Sequence, residues 1–324
     1  MKKLLTLFAL AFAFSAQAQT VKVDGSSTVF PITEGIAEDF QIANKNAIKV
    51  TVGLSGTGGG FKKFCSDASD QTDINDASRP ITQAEIDACT KLGIKYYELP
   101  IAFDALTIVV NTKNSFITQL TTADLKKMWE PAATGNVTKW SDVNPAWPNE
   151  AFKLFGPGTD SGTFDYFTEA VNGKAKSSRG DFTASEDDNI LVKGVQYEKN
   201  GLAYFGFAYY NPKTMKAVAI VNKDGKAVLP SKETVLNGSY NPLSRPLFIY
   251  VNAKSLEKPE VKKFVEFYMT KVSEIATEVK YIPLPSIVYT KNLEHLKNGR
   301  TGTIFGGTNQ IGLTIDQLTS KEAK

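Results

Sequence analysis

Along this chain short apolar runs alternate with stretches in which apolar residues recur every three to four positions. Strand-like runs occur at 21–24, 48–53, 105–111, 152–155, 217–221 and 247–252. Helical periodicity marks 32–43, 82–92, 122–129 and 258–270. Alternation of the two kinds predicts an α/β protein. There is no internal repeat, low-complexity tract or Pro/Gly-rich linker. At 324 residues the chain is long enough for two domains. Two domains without a linker are expected to be joined by strands that cross between them, and 103–111 and 246–252 are the best candidates. The first lobe then comprises 19–105 plus 248–324, and the second is the insertion 106–247. A cleft at such a junction is where small ligands bind.

The N-terminal pattern is different. Lys2 and Lys3 precede an apolar stretch at 4–14 and the small-residue site Ala16-Gln17-Ala18, which predicts a signal peptide over 1–18 cleaved near Ala18. The stretch is too short to span a bilayer, and no cysteine follows to carry a lipid anchor. The expectation is an exported, periplasmic protein that is monomeric. Net charge is +3, or about +1 without Lys2 and Lys3, and lysines are interspersed with acids. That balance argues against nucleic-acid binding. Cys65 and Cys89 are the only cysteines, and in an oxidising compartment they are expected to pair as a disulfide.

Three segments share one design, hydroxyl and glycine residues between a strand and a helix: D-G-S-S-T-V-F-P at 24–31, G-L-S-G-T-G-G-G-F-K-K at 53–63, and G-P-G-T-D-S-G-T-F-D-Y-F at 156–167. The first turn of a helix exposes unpaired N–H groups carrying partial positive charge, and nearby hydroxyls add donors. One such segment is also what a well-capped helix start looks like. Three converging on one cleft would make a pocket for a tetrahedral oxyanion. Rival motifs fail on spacing. Gly60 is followed by Phe61, Lys62 and Lys63 rather than Lys-Ser/Thr, and Phe61 stands where a dinucleotide fingerprint needs its third glycine. Ser161 is one position late for a nucleophile elbow. A hydrolase would depend on His295, the single histidine, which its polar surroundings predict to be at the surface. No catalytic, metal or cofactor set emerges.

Within the pocket Arg79 is the candidate cation, because a guanidinium fork matches an oxyanion. Hydrogen phosphate carries a proton that sulfate lacks, so a carboxylate would favour phosphate. Asp160 is the first candidate and Asp165 the second.

These segments resemble the periplasmic phosphate-binding proteins that feed the high-affinity phosphate ABC transporter. So do N-G-L-A-Y-F-G-F-A-Y-Y at 200–210, L-T-T-A-D-L-K-K-M-W at 120–129 and W-S-D-V-N-P at 140–145. The resemblance implies a type II periplasmic-binding fold whose two α/β lobes close on phosphate, and a membrane permease as partner. By motif it implies a site of Ser27, Thr28 and Val29, of Ser55, Gly56 and Thr57, and of Ser161, Gly162 and Thr163. Pro157 stands where best-known members have an arginine, and Ser78 or Arg79 where they have an aspartate. The resemblance therefore leaves Arg79 to replace the arginine, and Asp160 or Asp165 the carboxylate. Sulfate, molybdate or tungstate binding, a secreted serine phosphatase or esterase, and an adhesion or signalling role are the alternatives.

Overall fold

The structure is a computed structural model that describes residues 19–322; the expected signal peptide, 1–18, lies outside them. The strands are β1 (Gln19–Gly25), β2 (Ile48–Val52), β3 (Ile74–Ala77), β4 (Tyr96–Asn111), β5 (Gln119–Leu120), β6 (Lys153–Pro157), β7 (Thr183–Ser185), β8 (Gly201–Gly206), β9 (Met215–Ala217), β10 (Ala219–Val221), β11 (Ala227–Val228), β12 (Ser244–Asn252) and β13 (Ile282–Pro283). The helices are α1 (Phe30–Ala43), α2 (Gly56–Phe64), α3 (Gln83–Lys91), α4 (Thr122–Trp129), α5 (Trp140–Val143), α6 (Gly162–Asn172), α7 (Asp188–Tyr197), α8 (Lys232–Leu236), α9 (Pro259–Glu278), α10 (Ser286–Asn298) and α11 (Ile315–Glu322).

The main sheet has the order β2-β1-β3-β12-β4-β8-β6-β7, with β13 and β9 also paired to β4. β4 belongs to both halves. Its first part, Tyr96 to Ala105, pairs antiparallel with β12, and Leu106 to Val110 pairs antiparallel with β8. β12 lies wholly beside the first part of β4 and beside β3. The chain therefore returns to the first half at the start of β12, where the Leu106 amide donates to the Leu243 carbonyl at 2.8 Å. On either side of β4 stand parallel strands followed by helices, an α/β arrangement in two lobes.

All sixteen residues of β4 are buried. A strand covered on both faces shows no period of two, so the pattern at 105–111 revealed only its end. Pro100 and Pro246 further disguise the pairing, since proline lacks the ladder donor. The register shifts between Leu247 and Phe248, which face Ala102 and Pro100, so Ile101 is the extra residue of a bulge. α3 and α4 start where they were expected, each with a capping box, Thr82 with Glu85 and Thr121 with Asp124. α9 runs past the expected 270 to Glu278 because Val272, Ile275 and Ala276 continue its buried face.

Two aromatic groups fix the cores. Phe167 stacks on Tyr204 at 3.9 Å between centroids, with Trp129 edge-on to both. Phe61 and Tyr96 meet Tyr250 edge-on in the first half. Cys65, just after α2, and Cys89 of α3 form the expected disulfide.

Candidate functional site

The three glycine and hydroxyl segments join β1 to α1, β2 to α2 and β6 to α6. Each leads the chain from a strand end into the first turn of a helix. α1 and α2 have no side-chain cap, whereas the Ser161 hydroxyl accepts from the Thr163 amide at 3.1 Å and caps α6. Two of the three starts thus leave their first N–H groups to other acceptors. Among the described residues, the amides of Thr28, Thr57 and Gly162 meet no protein acceptor.

The segments converge across the two halves. Thr28 Oγ1 lies 3.0 Å from Thr163 Oγ1, and Thr57 Oγ1 lies 3.2 Å from Ser78 Oγ. Gly162 fits between the latter pair only because it lacks a side chain: a Cβ there would sit 2.5 Å from Thr57 Oγ1 and 2.6 Å from Ser78 Oγ. The Gly58 amide donates to the Asp160 carbonyl at 2.8 Å. Not every glycine serves this cleft. A Cβ on Gly60 would lie 1.9 Å from Asn75 Oδ1 and 2.7 Å from Gly25 Cα, so Gly60 lets α2 pack on the sheet.

The expected charged groups have other partners. Arg79 is buried, donating from Nε to Asp165 Oδ2 at 2.8 Å, from Nη1 to Pro80 O and Glu85 Oε2, and from Nη2 to Glu85 Oε1 at 2.8 Å. Burial works against its charge, but Glu85 and then Asp165 outweigh that and hold the guanidinium protonated. Arg79 with Asp165 is thus an ion pair between the halves. Asp160 turns its carboxylate outward to Lys62 Nζ at 2.7 Å, with the two side chains 36% and 69% exposed. Ser55 is half-buried and gives its hydroxyl to Asp24 Oδ1 at 2.5 Å. Gly56 opens α2 with φ of 76°, and Val29 is a buried apolar residue at the start of α1.

A second arginine lies where the hydroxyls meet. Arg245 is fully buried at the start of β12, directly opposite Asp104 in the β4 register. Its Nε and Nη2 donate to Asp104 Oδ2 at 3.2 and 3.0 Å, and Nη2 also reaches Thr163 Oγ1 at 2.7 Å and Thr28 Oγ1 at 3.3 Å. Nη1 is buried without a partner. Asp188, in the first turn of α7, accepts from Ser27 Oγ at 3.4 Å on Oδ2, while its Oδ1 is buried and unpartnered. Burial raises the Asp188 carboxyl to about 7, opposed by Arg245 and reinforced by Asp104.

The aromatic stretch at 200–210 braces this group. The Phe207 amide donates to Asp104 Oδ1 at 2.9 Å, and the Tyr209 hydroxyl to the Ser27 carbonyl at 2.8 Å. Neither Arg245 nor Asp188 lies in a glycine-rich segment, and their local sequence carries no sign of this role. The usable signal was Arg245 itself, one of only four arginines and at the edge of a proposed crossing strand.

His295 corrects an expectation. It is only 8% exposed, because α10 packs against α11 and sets its ring 3.6 Å from Glu322 and 3.1 Å from Arg300. An open groove of about 1440 Å³ lies elsewhere, lined by Tyr97 and Asn252 at the opposite strand ends and by Lys95, Lys262 and Lys297. None of the three segments' helix-start donors lines it.

Comparison with known proteins agrees with this geometry. Residues 13–272 match the model of a PBP superfamily domain. The chain is 40% identical over 281 residues to the phosphate-binding protein PstS of Staphylococcus saprophyticus, covering 85% of this chain and 84% of that protein. The chain belongs to the family of phosphate-binding proteins in the PBP superfamily. It is also 50% identical over 310 residues to protein SphX of Synechococcus elongatus, covering 95% of this chain and 90% of SphX. A crystal structure of a possible phosphate binding protein from Planctomyces limnophilus shares 47% identity with a TM-score of 0.63, covering 87% of this chain and 98% of that one. Another, from Clostridium perfringens, is assigned as a phosphate ABC transporter substrate-binding protein and contains bound phosphate. It shares 25% identity with a TM-score of 0.69, covering 82% of this chain and 100% of that one. The two α/β lobes are therefore those of the type II periplasmic-binding fold, and the family is one of solute-binding proteins.

Proposed function

We propose that the protein captures inorganic phosphate between its lobes and delivers it to the permease of an ABC transporter, without catalysing a reaction. The observation that carries this reading is the convergence of three helix starts from two lobes, with Thr28 paired to Thr163 and with Thr57 and Ser78 paired against Gly162. Helix starts hold a dehydrated oxyanion by amides and hydroxyls, and contacts from both lobes are what allow a ligand to drive closure. Relatives named for phosphate binding, and a solved relative with phosphate bound, support phosphate as the oxyanion. The expected lobes, 19–105 with 248–324 and 106–247, are best drawn with the return to the first lobe at Ser244, where β12 begins to pair with β4. The chain acts as a periplasmic monomer after removal of 1–18, and no described helix is long and apolar enough to cross a membrane.

Ser27, Gly56, Ser161 and Gly162 complete the wall around those hydroxyls, with Val29 as apolar backing and Ser55 fixing the α2 start through Asp24. Asp188, rather than Asp160 or Asp165, is the carboxyl placed to accept the proton of hydrogen phosphate, because its Oδ1 is buried and free. The hydrolase reading has no support in the geometry: the Ser161 hydroxyl caps α6 and the histidine serves the α10–α11 contact.

The test is calorimetry with protein unfolded and refolded to remove carried-over ligand. Inorganic phosphate should bind tightly and sulfate compete weakly. Absence of phosphate binding would sink the proposal, and equal competition by sulfate or molybdate would move it to another oxyanion.

A further inference from the structure

We propose that Arg245, supplied by the hinge strand β12 and not by any of the glycine-rich segments, is the cation that grips the bound oxyanion through Nη1. This rests on the oxyanion-binding reading of the cleft. Arg245 is fully buried, so its charge needs compensation. Asp104 supplies it on one edge of the guanidinium, through Nε and Nη2. The other edge ends in Nη1, which is buried and has no acceptor. An unused guanidinium N–H in a dry site is costly unless something accepts it. Nη2 of the same guanidinium donates to Thr163 of the second lobe and Thr28 of the first, which places the group where the two segments meet. An oxyanion beside those hydroxyls presents oxygens to Nη1 and to the amides of the helix starts together.

Among the described residues the other arginines are committed elsewhere. Arg79 is taken by Glu85 and Asp165, Arg179 by Asp181 and by the carbonyls of Met128 and Val137, and Arg300 lies against His295.

The position of Arg245 gives it a second role. Arg245 and Asp104 are cross-strand neighbours on β12 and β4, beside the point where β4 passes from one half of the sheet to the other. The Phe207 amide from the second lobe is held on the same Asp104. Ligand charge is therefore felt at the hinge itself, and gripping the anion tightens the Arg245–Asp104–Phe207 chain that joins the lobes. Asp104 acts as a positioning residue, orienting the guanidinium without touching ligand.

The experiment compares wild type, Arg245→Lys, and the double variant Arg245→Gln/Asp104→Asn, which avoids leaving one buried charge alone. Each is titrated with inorganic phosphate by calorimetry and followed by small-angle scattering. Wild type should bind and become more compact with phosphate. A hydrogen bond from a charged donor contributes about 1.5–3 kcal/mol, so both variants should bind roughly 10- to 150-fold more weakly. The double variant should also fail to compact at phosphate concentrations that saturate wild type. Arg245→Lys covers the case in which the double variant does not fold, since it keeps the charge and loses the fork. Either folded variant binding phosphate within twofold of wild type overturns the inference while leaving the carrier function standing. Wild type that binds no phosphate instead overturns the function on which it rests.

Discussion

The tripeptide Ser-Arg-Pro occurs twice, at Ser78-Arg79-Pro80 and at Ser244-Arg245-Pro246. Both arginines are buried beside the cleft, at 2% and 0% exposure. Their surroundings differ. Arg79 follows β3 and meets two carboxylates, Glu85 on its own lobe and Asp165 across the cleft, so Nε, Nη1 and Nη2 are all engaged. Arg245 opens β12 and meets one carboxylate, with Nη1 left over. Equal local sequence thus yields a lobe-to-lobe ion pair in one place and an available donor in the other. On the proposed reading, the number of acidic neighbours separates a structural arginine from one with a donor left for the ligand.

The strongest way to break the contrast is Arg79→Ala. It strands Asp165 and Glu85 together, and removing one partner of a buried pair costs about 3–5 kcal/mol. A denaturant titration should show that loss, and phosphate affinity of the folded protein should fall less than in the Arg245 variants. If affinity instead falls as steeply with stability intact, the roles of the two arginines are reversed.

Next in size is Cys89→Ser. The disulfide ties α3, which carries Glu85, to the end of α2, and Arg245 has no equivalent brace. A closed loop with a sequence separation of 24 predicts a loss of roughly 3 kcal/mol. Equal melting temperatures with and without reductant would remove that brace from the account.

Protonation separates the two regions more subtly. Asp188, near Arg245, is held at about 7 by burial, against an ordinary aspartate value of about 4. Between those values the folded state holds a proton that the unfolded state releases. Its contribution to stability is full below about pH 4 and is lost as pH rises to about 7. Glu98 and Glu322, both also near 7 through burial, act in the same sense, while His295, lowered by burial and by Arg300, acts oppositely. Wild type should melt higher at pH 5 than at pH 8, and Asp188→Asn should show a shallower difference. An unchanged slope would mean that Asp188 is ionised in the folded protein.

The smallest effect is expected at the rim. Lys62→Ala breaks an exposed pair with Asp160, and such pairs contribute about 0–1 kcal/mol. A shift in phosphate affinity above about tenfold would mean that Asp160 does more than close the outer edge of the cleft.

Much of the fold was legible because it depends on neighbours in sequence. The three helix starts and the helical runs at 82–92 and 122–129 follow from local pattern, and the two-lobed plan was read from chain length and the missing linker. The first part of β4 did not, since a strand buried on both faces and carrying Pro100 shows neither alternation nor an unbroken ladder. The charged groups of the site were the least legible. Asp160 sits in the right segment, yet its side chain leaves the cleft, which no residue count along a turn reveals.

By itself, then, the sequence determined the α/β class, the family, the disulfide and the donor-rich segments, because helix starts and strand runs are set within a few residues. Only the tertiary structure decided which charge serves which purpose. Arg79 finds Asp165 at 86 positions' remove, and Arg245 finds Asp104 at 141. Those pairings come from the order in which strands enter the sheet. Electrostatic partners are fixed by distance in space, and the same Ser-Arg-Pro reads differently on β12 than after β3.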